Sequence, residues 1–281
     1  MRKTILALSC VLACGRVAAG TPIVLYSNLT LDGKMAAAGR PATAGGPVEI
    51  EPADDFILGG SAAVTEIKFI GLITGGTVNT SLTNLEIYRV FPKDSTSPPD
   101  NRVPTRANSP SDVAFAEVGN PGVASFTMTQ ISPSFTAANS VKNGINPLPN
   151  VQTNGEGAVT GAEFLFDAVL KSPILLPADH YFFVPQIGVT GGDFFWLSAS
   201  RPIVPPGTPI TPDLQAWIRN GNLDPDWLRI GTDIVGGTPA PMFNMAFEID
   251  TDTSQLPEPG ALLLVGSGLT FVVRRIRRTR T

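Results

Sequence analysis

Carboxylates are the most numerous side chains of this chain that could carry out chemistry, with 24 aspartates and glutamates among 281 residues. The one histidine is His180, and the two cysteines, Cys10 and Cys14, lie near the N-terminus. Zinc ligands and cysteine nucleophiles are therefore scarce, and no Gly-x-Ser-x-Gly elbow or phosphate-binding loop lies in the middle of the chain. A glycosidase needs two carboxylates that face each other across a cleft, and nothing in the sequence selects such a pair. We therefore predict that the chain is not an enzyme.

Calcium is the metal that these carboxylates could bind best, because it takes oxygen ligands from Asp, Glu and backbone carbonyls. Several aspartates fall where we expect loops, although none has EF-hand spacing. The candidate ligands are Asp54, Asp55, Asp224 and Asp226, with Asp193, Asp250 and Asp252 as further loop aspartates. The alternative is that these residues only form turns with solvated charges, in which case the chain has no cofactor.

Tryptophans could bind sugars, because an exposed aromatic ring can stack on a sugar ring. The chain has three, Trp196, Trp217 and Trp227. The alternative is that they pack in the core, as large aromatic rings usually do. The sequence thus offers a carbohydrate- or calcium-binding module as one hypothesis.

Basic residues are concentrated at the two ends of the chain. Eight of the 20 lie there: Arg2, Lys3, Arg16, Arg274, Arg275, Arg277, Arg278 and Arg280. Without these eight and Glu258, 12 basic and 23 acidic residues remain, so the middle carries a net charge near −11. Nucleic-acid binding needs clustered Lys and Arg. The charge distribution therefore excludes a nucleic acid as the partner of this region.

The elements that must position these side chains are predicted to be β-strands. Short runs rich in Val, Ile, Thr and Phe are separated by Gly and Pro, and Ile67 and Phe69 alternate with Glu66 and Lys68. A period of two with one apolar face is typical of a sandwich strand. The strongest strand candidates are residues 64–72, 82–91, 162–170, 180–185, 193–198 and 244–249. The fold class predicted is all-β, an antiparallel β-sandwich.

Proline-rich stretches and one possible helical turn complete the middle of the chain. Residues 92–110 and 201–212 are predicted to be surface loops, because prolines and small polar residues dominate them. Residues 213–220 are predicted to form a short helical turn after Pro212.

The N-terminus has the features of a signal peptide. Arg2 and Lys3 precede an apolar run over residues 5–13, and the small residues Val17-Ala18-Ala19 follow. We predict a signal peptide over residues 1–19, with a signal helix and cleavage by signal peptidase after Ala19. A lipobox at residues 11–14, which would lipidate Cys14, is the alternative.

The C-terminus has the features of a membrane segment followed by a basic stop. Residues 254–259 form a linker, 260–273 an uncharged apolar run, and 274–281 a basic tail. The run would span roughly 21 Å as a helix at about 1.5 Å per residue, which is short for a bilayer core of about 30 Å. Snorkelling arginines and local thinning could close the gap. We predict a transmembrane helix over 260–273, with Arg274, Arg275, Arg277 and Arg278 as the cytoplasmic stop.

This tail resembles the PEP-CTERM sorting signal of Gram-negative bacteria. The matching features are Pro257-Glu258-Pro259, the apolar run and the terminal arginines. The resemblance implies passage through the inner membrane, cleavage near the motif by an exosortase-type enzyme, and transfer to the cell envelope, the cell surface or an extracellular matrix.

The middle of the chain resembles the β-sandwich domains that PEP-CTERM proteins often carry. The residues that match are 26–28, 53–56, 176–182 and 224–229, and the fold implied is jelly-roll-like. We therefore expect residues 20–253 to form one exported domain, with 254–281 as its sorting and anchor segment. The function expected is a non-enzymatic structural or adhesive role, with extracellular polysaccharide as a possible partner.

Overall fold

Two packed β-sheets account for most of the chain that the structure, a computed structural model, describes. The described residues are 22–119, 122–146, 148–200 and 214–252. Within them, Ile23–Thr251 form one compact unit. The predicted signal peptide, the 201–212 loop and the predicted sorting segment from 254 onward lie outside the described residues.

The larger sheet has nine strands and is mixed. The strands are β1 (Pro22–Asn28), β2 (Leu31–Ala38), β4 (Ala62–Ile73), β7 (Val123–Ala137), β8 (Asn139–Val141), β9 (Val159–Leu176), β11 (Phe194–Ala199), β14 (Asn244–Met245) and β15 (Phe247–Asp252). The central strand, β4, pairs along one edge with β9 and along the other with β15 and then β11. β7 extends the sheet beyond β9, β1 extends it beyond β15, and β2 and β8 extend it beyond β11.

The smaller sheet has six strands: β3 (Ile50–Leu58), β5 (Thr77–Arg89), β6 (Ala116–Gly119), β10 (Asp179–Thr190), β12 (Trp217–Asn220) and β13 (Leu228–Arg229). Their order across the sheet is β13-β12-β3-β10-β5-β6. The strand pairs are antiparallel. A single π-helical turn, Ile230–Val235, follows β13.

An aromatic cluster joins the two sheets. Phe247 of the larger sheet lies 5.5 Å from Phe183 and 6.0 Å from Phe56 of the smaller sheet, measured between ring centroids. It also lies 4.5 Å from Tyr26 and 5.6 Å from Trp196 within its own sheet. All five side chains are fully buried, so this cluster is the centre of the main core.

The prediction of an all-β fold is confirmed, and each predicted strand falls on a strand of the structure. Residues 64–72 lie within β4 and residues 180–185 within β10, whereas 244–249 are divided between β14 and β15. One refinement concerns direction. β2 and β8 run parallel, so the larger sheet is not antiparallel throughout.

The predicted helical turn at 213–220 is wrong, because Trp217–Asn220 form strand β12. The strand fills the space between β3 and β13 and pairs with both. Ile218 faces the main core while Trp217 lies in a separate apolar cluster, which is the period of two that a strand requires. No helix in the described part of the chain is long and apolar enough to cross a bilayer.

Candidate functional site

A buried polar layer lies on the outer face of the six-stranded sheet. Alternation places Glu51 of β3, Glu86 and Tyr88 of β5, and Arg219 of β12 on this face, because Ile50, Leu85, Ile87 and Ile218 face the core. All four polar side chains are buried. This layer is the candidate site of the domain.

Arg219 holds the layer together. Its Nε donates to Glu51 Oε2 at 2.5 Å and its second terminal nitrogen donates to Glu51 Oε1 at 2.9 Å. This is the bidentate geometry in which a guanidinium binds a carboxylate most strongly. The same nitrogen donates to the Tyr88 hydroxyl at 2.9 Å, and the other reaches Asp224 Oδ1 at 2.7 Å. A single cation thus connects three strands and a loop.

Glu51 and Glu86 form a carboxylate pair bridged by a hydroxyl. The Tyr88 oxygen lies 2.9 Å from Glu51 Oε1 and 3.0 Å from Glu86 Oε2. Burial, reinforced by the negative charge of Glu51, raises the pKa of Glu86 to about 8. The pKa of Tyr88 is also raised, by burial and then by Glu51. Chemically, the pair can hold one proton at neutral pH.

Two loops cover this layer with apolar and aromatic groups. Trp217 and Trp227 pack with Ala53, Phe182 and Val184 in a cluster separate from the main core. The Arg219 guanidinium lies 4.3 Å from the Trp227 ring centroid, a cation–π distance. Trp227 Nε1 donates to the Ser111 carbonyl at 3.2 Å. The loop that follows β5 and the loop that follows β12 are thus fixed to each other above the sheet.

Further ion pairs surround the layer. Arg106 binds Asp112 and also lies 3.0 Å from Asp226 Oδ1. His180 Nε2 lies 2.6 Å from Asp55 Oδ2. The side chains of Arg106, Asp226 and Asp55 are at most 4% exposed. These carboxylates therefore bind cationic or imidazole groups of the same chain.

Two of the four predicted calcium ligands lie in a strand and two in a loop, and they do not form a metal site. Asp54 and Asp55 were expected in a loop, which is wrong: both lie in β3, where the Met245 amide donates to Asp54 and the Leu214 amide to Asp55. Asp224 and Asp226 do lie in a loop, each paired with an arginine. No group of three or more His, Cys, Asp or Glu in the described ranges could hold a metal ion.

The three tryptophans are at most 1% exposed, so they pack in the interior, which is the alternative to exposed sugar platforms. Trp196 lies in the main core and donates from Nε1 to the Ala246 carbonyl at 2.8 Å. Trp217 donates to the Leu214 carbonyl at 3.0 Å. Each ring buries its apolar body and satisfies its one donor, which explains why all three are internal.

The sequence reasoning missed a second charged cluster, on the outer face of the nine-stranded sheet. Lys68 Nζ lies 2.6 Å from Asp250 Oδ2, 3.0 Å from Glu248 Oε1 and 3.1 Å from Glu66 Oε1. Asp167 stands opposite Lys68 on β9. The sequence pattern that could have predicted this cluster is the alternation of charged residues with core residues in three strands.

Four carboxylates around one ammonium leave an excess of negative charge in this second cluster. Burial raises the pKa of Asp167 and of Asp250 to about 6, with Glu66 and Glu248 adding to the shifts. Burial acts to lower the pKa of Lys68, but its hydrogen bonds to the carboxylates raise it overall. Lys68 is thus the cation that the carboxylates of this cluster surround.

Three sets of predicted residues lie outside the described ranges: the signal cleavage site Ala19, the sorting motif Pro257, Glu258 and Pro259, and the membrane stop Arg274, Arg275, Arg277 and Arg278. Asp193, also considered for calcium, is paired with Lys142 at 2.5 Å beside a small pocket lined by Arg40 and Phe194. Comparison of the chain with protein-family models, with curated proteins and with solved structures finds no match.

Proposed function

We propose that this chain is an exported cell-surface or extracellular-matrix protein of a Gram-negative bacterium with a structural or adhesive role. An N-terminal signal peptide would start its export. An exosortase-type enzyme would process the C-terminal segment after transient insertion in the inner membrane. The two charged ends and the PEP-CTERM resemblance support the route, and the all-β domain supports the structural role.

The observation that supports the structural role is that the side chains most able to do chemistry bind, or pack against, other groups of the same chain. Arg219, Arg106 and His180 bind the carboxylates of Glu51, Asp226 and Asp55. The three tryptophans fill the interior. These groups stabilise the domain and fix its surface loops, as a scaffold without a reaction requires.

A carbohydrate- or calcium-binding module is the alternative function, and the geometry favours it less. Its candidate ligands Asp54, Asp55, Asp224 and Asp226 already bind groups of the same chain. We also propose that the sandwich is of the jelly-roll-like kind found on PEP-CTERM proteins. This rests on the sequence resemblance and on the two-sheet architecture.

Replacement of Pro257, Glu258 and Pro259 by alanine in the host tests the sorting route. We expect the wild-type protein recovered from the surface or medium to have an intact mass ending near residues 257–260. The variant should remain in the inner membrane as an unprocessed precursor. The matched control replaces Thr253, Ser254 and Gln255 by alanine and should be processed normally. A variant that reaches the surface at normal mass would disprove the sorting proposal.

A further inference from the structure

Strand β7 is a long edge strand with an open side. It runs for 15 residues, Val123–Ala137, and its only strand partner among the described residues is β9. Most of its side chains between Ala124 and Ser134 are exposed, including Ile131 at 51%. Within the described ranges, no strand pairs with the row of backbone donors and acceptors on the other side of β7.

This edge lacks the usual protection of charge. Natural edge strands are commonly guarded by charged side chains, which prevent pairing between molecules. The two edges of the six-stranded sheet follow this rule, with Glu117 on β6 and Arg229 on β13. In contrast, residues 118–141 contain no charged side chain, although 16% of the chain is charged.

The pairing-competent part of β7 is short and well defined. Ser125–Gln130 keep one register against β9, and register shifts occur on both sides of this run. Pro133, which has no N–H to donate, follows within three residues. Ser, Phe, Thr and Met in this run have good β-propensity or small polar surfaces, with no proline and no charge. The bulges and Pro133 confine any added strand to about this segment.

We propose that β7 is a self-association edge, where Ser125–Thr129 of one copy pair antiparallel with the same residues of a second copy, so that Thr127 faces Thr127 and Ser125 faces Thr129. The surrounding domain has a net charge near −11, from its 12 basic and 23 acidic residues. Two such molecules repel each other over most of their surfaces. They can approach closely where charge is absent, and β7 offers an uncharged edge that complements itself under two-fold symmetry.

A charge-swap pair tests this inference on the full chain purified in detergent. Ser125→Lys/Thr129→Lys and Ser125→Glu/Thr129→Glu place like charges on facing positions of the two strands, and both residues are exposed. We expect the wild type to sediment as a dimer and each variant alone to dimerise at least about tenfold more weakly, which corresponds to about 1.4 kcal/mol. An equimolar mixture of the two variants should recover the dimer.

The controls separate edge pairing from general charge effects. Thr77→Lys/Ser81→Lys adds the same charge to exposed positions of β5 and should leave dimerisation unchanged. A wild type that stays monomeric at the highest attainable concentration overturns the inference. So does a mixture that recovers nothing, because pairing of β7 with another edge, such as β1, would not be restored by opposite charges on β7.

Disulfide cross-linking locates the contact. In a chain carrying Cys10→Ser and Cys14→Ser, Thr127→Cys lies next to the proposed two-fold axis and should cross-link under mild oxidation, since antiparallel neighbours lie about 4.5–5.5 Å apart between Cα atoms. Thr77→Cys, on β5, should not. Equal cross-linking at both positions would overturn the inference.

This inference names a second copy of the chain as a partner in the structural role proposed above. The biological setting of the pairing rests on that proposed role. The two tests fail separately, because sedimentation of the purified chain does not depend on where the host sends it. If the protein is processed normally but is monomeric, only the proposal of β7 pairing is disproved. If it is a dimer but reaches the surface unprocessed, only the proposed sorting route is disproved.

Discussion

Glu86 is a buried carboxyl beside a second carboxylate, and this makes the stability of the domain depend on pH. Burial and then Glu51 raise the pKa of Glu86 to about 8, from its usual 4.5. A group whose pKa is raised on folding binds its proton more tightly in the folded state. Its contribution to stability is therefore complete below about pH 4.5 and is lost as pH rises through 8.

We predict that Glu86→Gln removes this part of the pH dependence. The wild type should lose up to about 1.4 kcal/mol of unfolding free energy per pH unit between pH 5 and 8 from this group. The glutamine variant should lose less and exceed the wild type in stability at pH 9, as measured by urea unfolding at pH 5, 7 and 9. Glu117→Gln, an exposed neighbour whose carboxylate also accepts from Asn84, is the control and should follow the wild type. Parallel curves for Glu86→Gln and the wild type would contradict the assignment.

Arg219 is the counter-charge on which the same layer depends. We predict that Arg219→Met costs about 3–5 kcal/mol of unfolding free energy, because it leaves Glu51 charged and buried without its partner. Asp224→Asn should cost about 0–1 kcal/mol, since that carboxylate is 55% exposed. Both values can be read from urea unfolding at neutral pH.

A double variant identifies the stranded charge as the cause. Glu51→Gln/Arg219→Met should cost clearly less than the sum of its single variants, because neither partner is then left charged alone. Simple additivity would mean that the loss comes from packing of the arginine on Trp227 rather than from the ion pair.

At the scale of elements, two connections cross at one end of the sandwich with no room for side chains. The β4–β5 connection contains Gly75 and Gly76, and the β10–β11 connection contains Gly191 and Gly192. Gly76 has φ +72°, and a Cβ there would overlap the carbonyl oxygen of Thr190. The glycines thus permit a crossing that joins strands of both sheets.

We predict that Gly76→Ala lowers the unfolding free energy by about 1–3 kcal/mol, because it adds both a strained backbone and a clash with a neighbouring backbone. Gly59→Ala, in the turn between β3 and β4, is the control and should change it by at most about 0.5 kcal/mol, since a Cβ there meets nothing within 4 Å. Thermal unfolding of both variants measures the difference. Equal effects would mean that the crossing can open without cost.

The elements show where sequence reasoning succeeded and where it could not. Alternation located β4, where Ile67 and Phe69 mark one apolar face, whereas the apolar run Tyr181–Val184 located β10, which is buried on both faces. It failed at β12, where a four-residue strand has too few residues to display a period. It also failed for Asp54 and Asp55, whose charges indicate a loop although hydrogen bonds from Met245 and Leu214 stabilise them within β3.

The candidate site was less predictable than the fold. The alternation that puts Glu51, Glu86 and Arg219 on one face can be read from each strand, but their meeting depends on the strand order β12-β3-β10-β5. That order arises from pairings between residues far apart in the chain, such as Arg219 and Glu51, which are 168 positions apart. No local pattern contains such information.

At the scale of the whole molecule, the two sheets depend on the aromatic cluster around Phe247. We predict that Phe247→Ala costs about 3–5 kcal/mol of unfolding free energy, as large core truncations do. Phe135→Ala, which truncates a partly buried ring on edge strand β7, should cost less than half of that. Urea unfolding of the two variants measures both losses, and similar losses would show that Phe247 does not hold the sheets together.

The position of β4 between β9 and β15 also determines the order of events during synthesis. Lys68 and Glu248, which face each other across β4 and β15, are 180 residues apart in the chain. At about 5–20 residues per second, the ribosome needs about 10–40 s to make the second strand after the first. Throughout that interval the central strand has an unpaired edge, and the aromatic core lacks Phe247. The nine-stranded sheet and its aromatic core therefore cannot be completed until β15, the last of the described strands, has been synthesised.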